Sequence, residues 1–171
     1  VFEKLAEDPE HVKHPLAARA LRRLGDMSWR AKKSGEAIEY WRRGISELYK
    51  ESARSDYNET RDLLAQARAV TGDWNAYEEL IFEGIPAEAS AKRADAVRGA
   101  ADWLTNRMYH FWPGWYYDVF VAEREREARR TEWRKQMAVW YDGQRDLFAA
   151  ADRQWDHAVL GFRIWREYRA E

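Results

Sequence analysis

Cysteine is absent from this sequence, and so is any long hydrophobic run. Without cysteine the chain has no disulfide, no thiolate metal site and no cysteine nucleophile. Its apolar runs are all far shorter than the roughly 18 residues that a membrane-spanning helix requires. Excess charge of one sign is also lacking, because the net charge at pH 7 is -1. We therefore predict no nucleic-acid partner.

The sequence also lacks the common catalytic signatures. It has no glycine-rich phosphate loop, no Gly-x-Ser-x-Gly turn and no His-Glu-x-x-His pair. His11 and His14 lie between Pro9 and Pro15, which favour irregular backbone over the geometry that a metal site needs. His157 has no Glu-x-x-His context of the kind that holds a di-iron centre. We therefore predict a protein that is not an enzyme and has no catalytic residues, no cofactor and no metal.

Aromatic side chains are what the sequence has in abundance. It contains 10 Trp and 9 Tyr, and 46% of its residues are hydrophobic while 35% are charged. Large aromatic residues are enriched both in contacts inside a protein and in surfaces that bind partners. Composition alone leaves open which of these two roles each aromatic residue has.

Apolar spacing and boundary residues predict helices over most of the chain. Pro15 suits the first position of one long helix, and Ser34 suits the cap of the next. Gly84 and Pro86 predict the end of one helix and the start of another, with Pro86 as its first residue. That helix is expected to end by Pro113, because proline lacks the backbone donor.

Two stretches within residues 18–91 have the spacing of a helical repeat. The first stretch has Leu21, Leu24, Gly25, Ala37, Trp41 and Gly44, and the second has Leu64, Ala65, Gly72, Asp73, Trp74, Tyr77, Ile81 and Gly84. This pattern resembles the tetratricopeptide repeat, a helix pair in which a small residue lets the two backbones approach closely. The resemblance implies stacked helical hairpins that recognise other proteins.

An aromatic block at residues 108–120 surrounds a predicted break at Pro113-Gly114. Two interpretations stay open. The block either packs two helices together at a bend, or it docks another protein or the headgroups at a membrane surface. In the second case Trp112, Trp115 and Tyr116 contact the partner.

From Tyr117 onward the sequence predicts a long C-terminal helix. The apolar stripe keeps one helical phase from Trp133 to Trp165, which favours a continuous helix over a helical hairpin broken at Asp142-Gly143. Along it runs a seam of heptad-like spacing, made of Phe148, Ala151, Trp155, Ala158, Phe162 and Trp165. The other helices of the chain, a second copy or another protein would have to cover this seam.

The expected fold is all-α, with tetratricopeptide-like hairpins followed by a long Trp-rich arm. We predict an irregular lead over residues 1–14, a helical domain over 15–112 and the arm over 113–171.

Protein binding is therefore the predicted function. We expect an accessory or scaffold subunit of a larger assembly, and the composition resembles that of accessory subunits of mitochondrial respiratory-chain and ATP synthase complexes. Val1 in place of an initiator Met favours an imported mitochondrial protein with its leader removed, and the alternative location is cytoplasmic. The alternative functions are a peptide-binding adaptor and a homodimeric coiled coil. The predicted partner-binding residues are Arg22, Arg30, Lys33, Trp112, Trp115, Tyr116, Trp133, Trp140, Phe148, Trp155, Phe162 and Trp165.

Overall fold

The computed structural model describes Lys4 and residues 15–47, 54–110 and 123–169, and it describes side chains within 16–46, 56–105 and 131–166. Across these ranges the regular structure is helical and no strand is present. The all-α prediction is therefore confirmed. None of the described helices is long and apolar enough to cross a membrane.

The described ranges contain helices that we number in chain order. They are α1 (Pro15–Arg30), α2 (Ser34–Glu47), α3 (Arg54–Val70), α4 (Trp74–Ile81), α5 (Ser90–His110), α6 (Glu123–Asp142), α7 (Arg145–Ala150) and α8 (Gln154–Arg169). The predicted docking residues Trp112, Trp115 and Tyr116 lie outside the described residues, as does the predicted break at Pro113-Gly114.

The chain divides into an N-terminal unit, Val1–Asp73, and a C-terminal unit, Trp74–Glu171. This division falls inside the stretch 15–112 that we predicted as one helical domain. The predicted boundary between residues 112 and 113 lies outside the described residues and stays a prediction.

In the N-terminal unit, α1 and α2 form a tightly packed hairpin. Trp29 and Trp41 are buried in it, with ring centroids 5.5 Å apart. The indole N–H of Trp41 donates to the backbone carbonyl of Arg22 at 3.3 Å. Gly25 permits this close approach, because a Cβ at that position would lie 2.3 Å from Trp41 Nε1. The predicted packing role of Gly25 is confirmed, while the resemblance to the tetratricopeptide repeat stays a prediction.

One turn geometry recurs where α1, α3 and α7 end. Lys32, Gly72 and Asp152 have φ values of 64°, 79° and 56°, in the left-handed region. In each turn the following residue donates its N–H to the carbonyl five residues earlier, as Lys33 does to Ser28 at 2.9 Å. This arrangement satisfies carbonyls that the helix end leaves without partners. The next helix then begins two residues after the left-handed one.

The helix starts agree with the sequence at two of three predicted places. α1 begins at Pro15, as expected, and α2 begins at Ser34, which is the first helical residue rather than the predicted cap. The predicted start at Pro86 is wrong, since α5 begins at Ser90. The reason is a separate turn, in which the N–H of Ala89 donates to the carbonyl of Pro86 at 3.1 Å.

The core of the C-terminal unit comes from four helices. Within it, α8 packs against α6, and both α7 and α8 contact α5. The buried residues include Val97, Ala101 and Leu104 from α5, Trp133, Met137 and Tyr141 from α6, Phe148 from α7, and Leu160 and Ile164 from α8.

The C-terminal arm is a helical hairpin, so the expectation of one continuous helix is wrong. The structure has the predicted alternative break at Asp142-Gly143, followed by a second break after α7. Chain reversal lets α8 bury Leu160 and Ile164 against the other helices. A continuous helix could not fold α8 back onto α6, and it would also carry Gly143 in its interior, which costs about 1 kcal/mol relative to Ala.

Candidate protein-docking surface

Helix α8 has one buried face and one exposed face. The buried face carries His157, Leu160 and Ile164, at the three- and four-residue spacing that keeps side chains on one side of a helix. The seam predicted from the sequence lies on a different stripe of the same helix. The packing surface is therefore opposite to the one that the seam of aromatic residues suggested.

The exposed face carries four large apolar side chains, and we call this set the α8 face. Its members are Trp155 at 79% exposure, Val159 at 52%, Phe162 at 61% and Trp165 at 46%. They follow one another at intervals of four, three and three residues, so they form a continuous stripe. The rings of Phe162 and Trp165 stack with centroids 6.2 Å apart.

A set of polar contacts fixes the start of α8 on the rest of the C-terminal unit. His157 contacts the backbone carbonyl of Tyr141 through Nε2 at 3.0 Å, and its ring stacks on the Tyr141 ring at 4.7 Å. Arg153 donates hydrogen bonds to Asp95 on α5 and to Asp156. These hydrogen bonds raise the pKa of Arg153, so its guanidinium stays charged.

Further along α8, Arg163 donates to Asp102 of α5 at 3.4 Å. The helix is thus tied to its neighbours at both the first and third turns. These contacts anchor the buried side of α8. The α8 face therefore loses less conformational freedom when a partner binds, which lowers the entropic cost of binding.

Three other predicted partner-binding residues lie in the interior of the C-terminal unit. Trp133, Trp140 and Phe148 are buried. Trp140 stacks on Trp74 with centroids 5.3 Å apart, and its indole N–H donates to Glu78 at 2.8 Å. Their contacts are those of core residues, and the prediction that they bind a partner stays a prediction.

In the N-terminal unit, the cationic residues that we predicted to bind a partner are Arg22, Arg30 and Lys33. The side chain of Arg22 is 18% exposed and forms ion pairs with Asp56 and Glu59 of α3. Lys33 pairs with Glu36 at 3.0 Å, and Arg30 is exposed at the end of α1. Two of the three charges are therefore already compensated within the unit.

No metal-binding cluster is found among the described residues. They contain no group of three or more His, Asp or Glu side chains placed to hold a metal ion. A cavity of about 390 Å³ beside α8 is lined by Asp142, Arg145 and His157, among others. Asp142 and Arg145 pair with each other at 2.8 Å, so the charges in this cavity are compensated. His11 and His14 lie outside the described residues.

Val159 is the member of the α8 face that the sequence analysis missed. It lies four residues after Trp155 and three before Phe162, so helical spacing alone places it on the same stripe. The heptad-like seam contains the neighbouring residue Ala158 instead of Val159.

Comparisons with protein-family models, with curated proteins and with solved structures found no match.

Proposed function

We propose that this protein is a non-catalytic helical subunit that acts by binding another protein chain, and that the α8 face is its binding surface. The observation that carries this proposal is the exposure of four large apolar side chains on one face of a helix whose other face is fixed. Residues that dominate binding energy are enriched in large aromatic side chains and cluster near the centre of protein interfaces.

The size of the patch supports the proposal. At the stated exposures, three aromatic side chains and one valine present on the order of 450 Å² of surface. Contiguous apolar patches of roughly 300–600 Å² are the largest that monomers show, and they are often functional. Scattered exposed apolar residues need no such explanation, and Val139 on α6 is an example in the same unit.

The peptide-binding adaptor is less well supported by the contacts. That function relied on Arg22 and Lys33 to bind an acidic segment, and both side chains already pair with carboxylates in the N-terminal unit. An incoming acidic peptide would have to displace those pairs.

As the specific assembly, we propose a mitochondrial membrane complex of which this chain is a subunit. Its support is composition alone, namely many Trp residues and no Cys. Fractionation of cells that express the tagged chain tests it directly, and recovery outside mitochondria would contradict it.

The binding function is tested by sedimentation of the tagged chain in a gentle detergent extract of its native cells. We expect the wild type to sediment in a particle well above 20.3 kDa. Val159→Glu should shift the chain toward slower sedimentation, because a buried charge at the centre of an interface is costly. Val139→Glu makes the same change on an exposed residue of α6 and should leave sedimentation unchanged. Identical sedimentation of the wild type and Val159→Glu would refute the proposal.

A further inference from the structure

We propose that the chain covering the α8 face is a second copy of this protein, which pairs with it antiparallel about a two-fold axis between Leu160 and Gly161. This inference rests on the proposed function, because it takes the α8 face to be the binding surface. It names the occupant and the register, which the proposed function leaves open.

Two pairs of exposed side chains on α8 are symmetric about that axis, while Trp165 is symmetric with Asp156. Val159 and Phe162 are equally distant from it along the chain, and so are Trp155 and Arg166. An antiparallel pair therefore places Val159 of each copy against Phe162 of the other copy, which gives two equivalent contacts. A two-fold interface requires one patch that is complementary to itself in this way.

The ends of the face are complementary in chemistry. Arg166 is exposed near the end of α8, one residue after Trp165. In the antiparallel pair its guanidinium lies near the indole of Trp155 in the other copy, and a guanidinium is attracted to the face of an indole ring.

Charge also selects the antiparallel direction. Asp152 is exposed just before the start of α8, at the same end as Trp155. Antiparallel pairing brings it toward Arg166 of the second copy. Parallel pairing in register would instead bring the two Arg166 side chains together, and like charges in contact disfavour association.

The area is sufficient for a reversible dimer. From residue 155 to residue 166 the face is about 17 Å long. Two such faces bury on the order of 900 Å² of apolar surface, and their polar edges raise the total to roughly 1,200 Å², at the lower limit of specific interfaces. We therefore expect a dimer that dissociates in the micromolar range.

Analytical ultracentrifugation of the purified chain from about 1 to about 100 μM tests the pairing. We expect the weight-average mass to rise from 20.3 kDa toward twice that value. Trp155→Glu should remain a monomer at the highest concentration, whereas Val139→Glu should dimerise as the wild type does. Far-ultraviolet circular dichroism of each variant verifies that helix content is retained.

A charge exchange tests the register. Arg166→Glu should raise the dissociation constant at least about tenfold, because it removes the guanidinium from the indole of Trp155 and brings a carboxylate toward Asp152. Adding Asp152→Lys should restore dimerisation. Lysine is tolerated in this left-handed turn position, as Lys32 shows at the equivalent place after α1 with a φ of 64°.

A wild type that stays monomeric throughout the concentration range would overturn the inference, as would a dimer that Trp155→Glu leaves intact. Failure of Asp152→Lys to restore the Arg166→Glu variant would overturn the antiparallel register. The proposed function and the pairing of two copies can be refuted by different results. If the purified chain is monomeric while the extract shows a large particle sensitive to Val159→Glu, binding stands and the second copy is excluded.

Discussion

At Gly25, a hydrogen atom in place of a methyl group determines how closely α1 and α2 can pack. The site that a Cβ would occupy is already filled by the indole of Trp41, at 2.3 Å. Trp41 itself is buried and hydrogen-bonded to the chain, so it has little freedom to move aside. The resemblance to the tetratricopeptide repeat identified Gly25 as a packing residue, because that pattern pairs small and large residues across two helices.

Gly25→Ala should therefore destabilise the chain by about 1–3 kcal/mol through overpacking. Gly35 provides a matched control, since a Cβ there has no atom within 4 Å. Gly35→Ala should be neutral or stabilise by up to about 1 kcal/mol through helix propensity. Urea unfolding followed by circular dichroism measures both changes, and equal stability of the two variants would contradict the packing role of Gly25.

Tyr141 is buried, and its hydroxyl has no hydrogen-bond partner among the described residues. Burial raises the pKa of this hydroxyl, and the nearby carboxylates of Asp102 and Asp156 raise it further. The folded chain therefore favours the neutral phenol more than the unfolded chain does. That preference contributes stability at pH values below 10.0, the ordinary pKa of tyrosine, and it is lost progressively as the pH rises above 10.0.

Tyr141→Phe should accordingly match or exceed the wild-type stability at pH 7, by up to about 1 kcal/mol, because it removes a buried polar group without a partner. Above pH 10 its advantage should grow, since phenylalanine cannot ionise. Thermal unfolding at pH 7 and at several values above 10 tests both points. A difference between the two proteins that does not change with pH would contradict the account of Tyr141.

At the scale of the helices, one carboxylate on α4 forms hydrogen bonds with side chains at the end of α6 and just after it. Glu78 of α4 accepts hydrogen bonds from the indole of Trp140 and from the amide of Gln144. The Trp140 ring also stacks on Trp74, at the start of α4. Periodicity could not reveal this contact, because its partners are more than 60 residues apart in sequence.

Glu78→Ala should lower the free energy of unfolding by about 1–3 kcal/mol, because it leaves the buried indole N–H of Trp140 without a partner. Glu79 is the next residue on the same helix and is exposed. Glu79→Ala should change stability by less than about 0.5 kcal/mol. Chemical denaturation of the two variants measures the difference, and losses of equal size would show that the Glu78 contact contributes nothing specific.

The prediction of helices from sequence succeeded better than the prediction of their faces. Pro15 marked a helix start correctly and Ser34 marked one within a residue, because capping and backbone preferences act within a few residues. On α8, by contrast, both faces are apolar, so spacing could not show which one is buried. The contact between His157 and Tyr141 and the pairing of Arg163 with Asp102 decide it, and both depend on the chain reversal after α6.

At the scale of the whole molecule, the two units differ in what they present to a partner. In the N-terminal unit, Arg22 and Lys33 are paired within the unit. In the C-terminal unit, the α8 face exposes a continuous apolar stripe. Of the predicted binding residues, Trp155, Phe162 and Trp165 are exposed together on the α8 face, and their role in binding stays a prediction. The part assigned to Trp112, Trp115 and Tyr116 stays a prediction.

The most direct test of the central claim is site-specific photo-cross-linking in the native cells. A photoreactive side chain at position 159 should form an adduct heavier than 20.3 kDa, because the α8 face is covered by another chain. The same probe at position 139, an exposed valine on α6, should give no comparable adduct. An adduct of twice the chain mass would in addition support pairing of two copies. Absence of any adduct at 159, or equal adducts at 159 and 139, would contradict the claim that the α8 face is the binding surface.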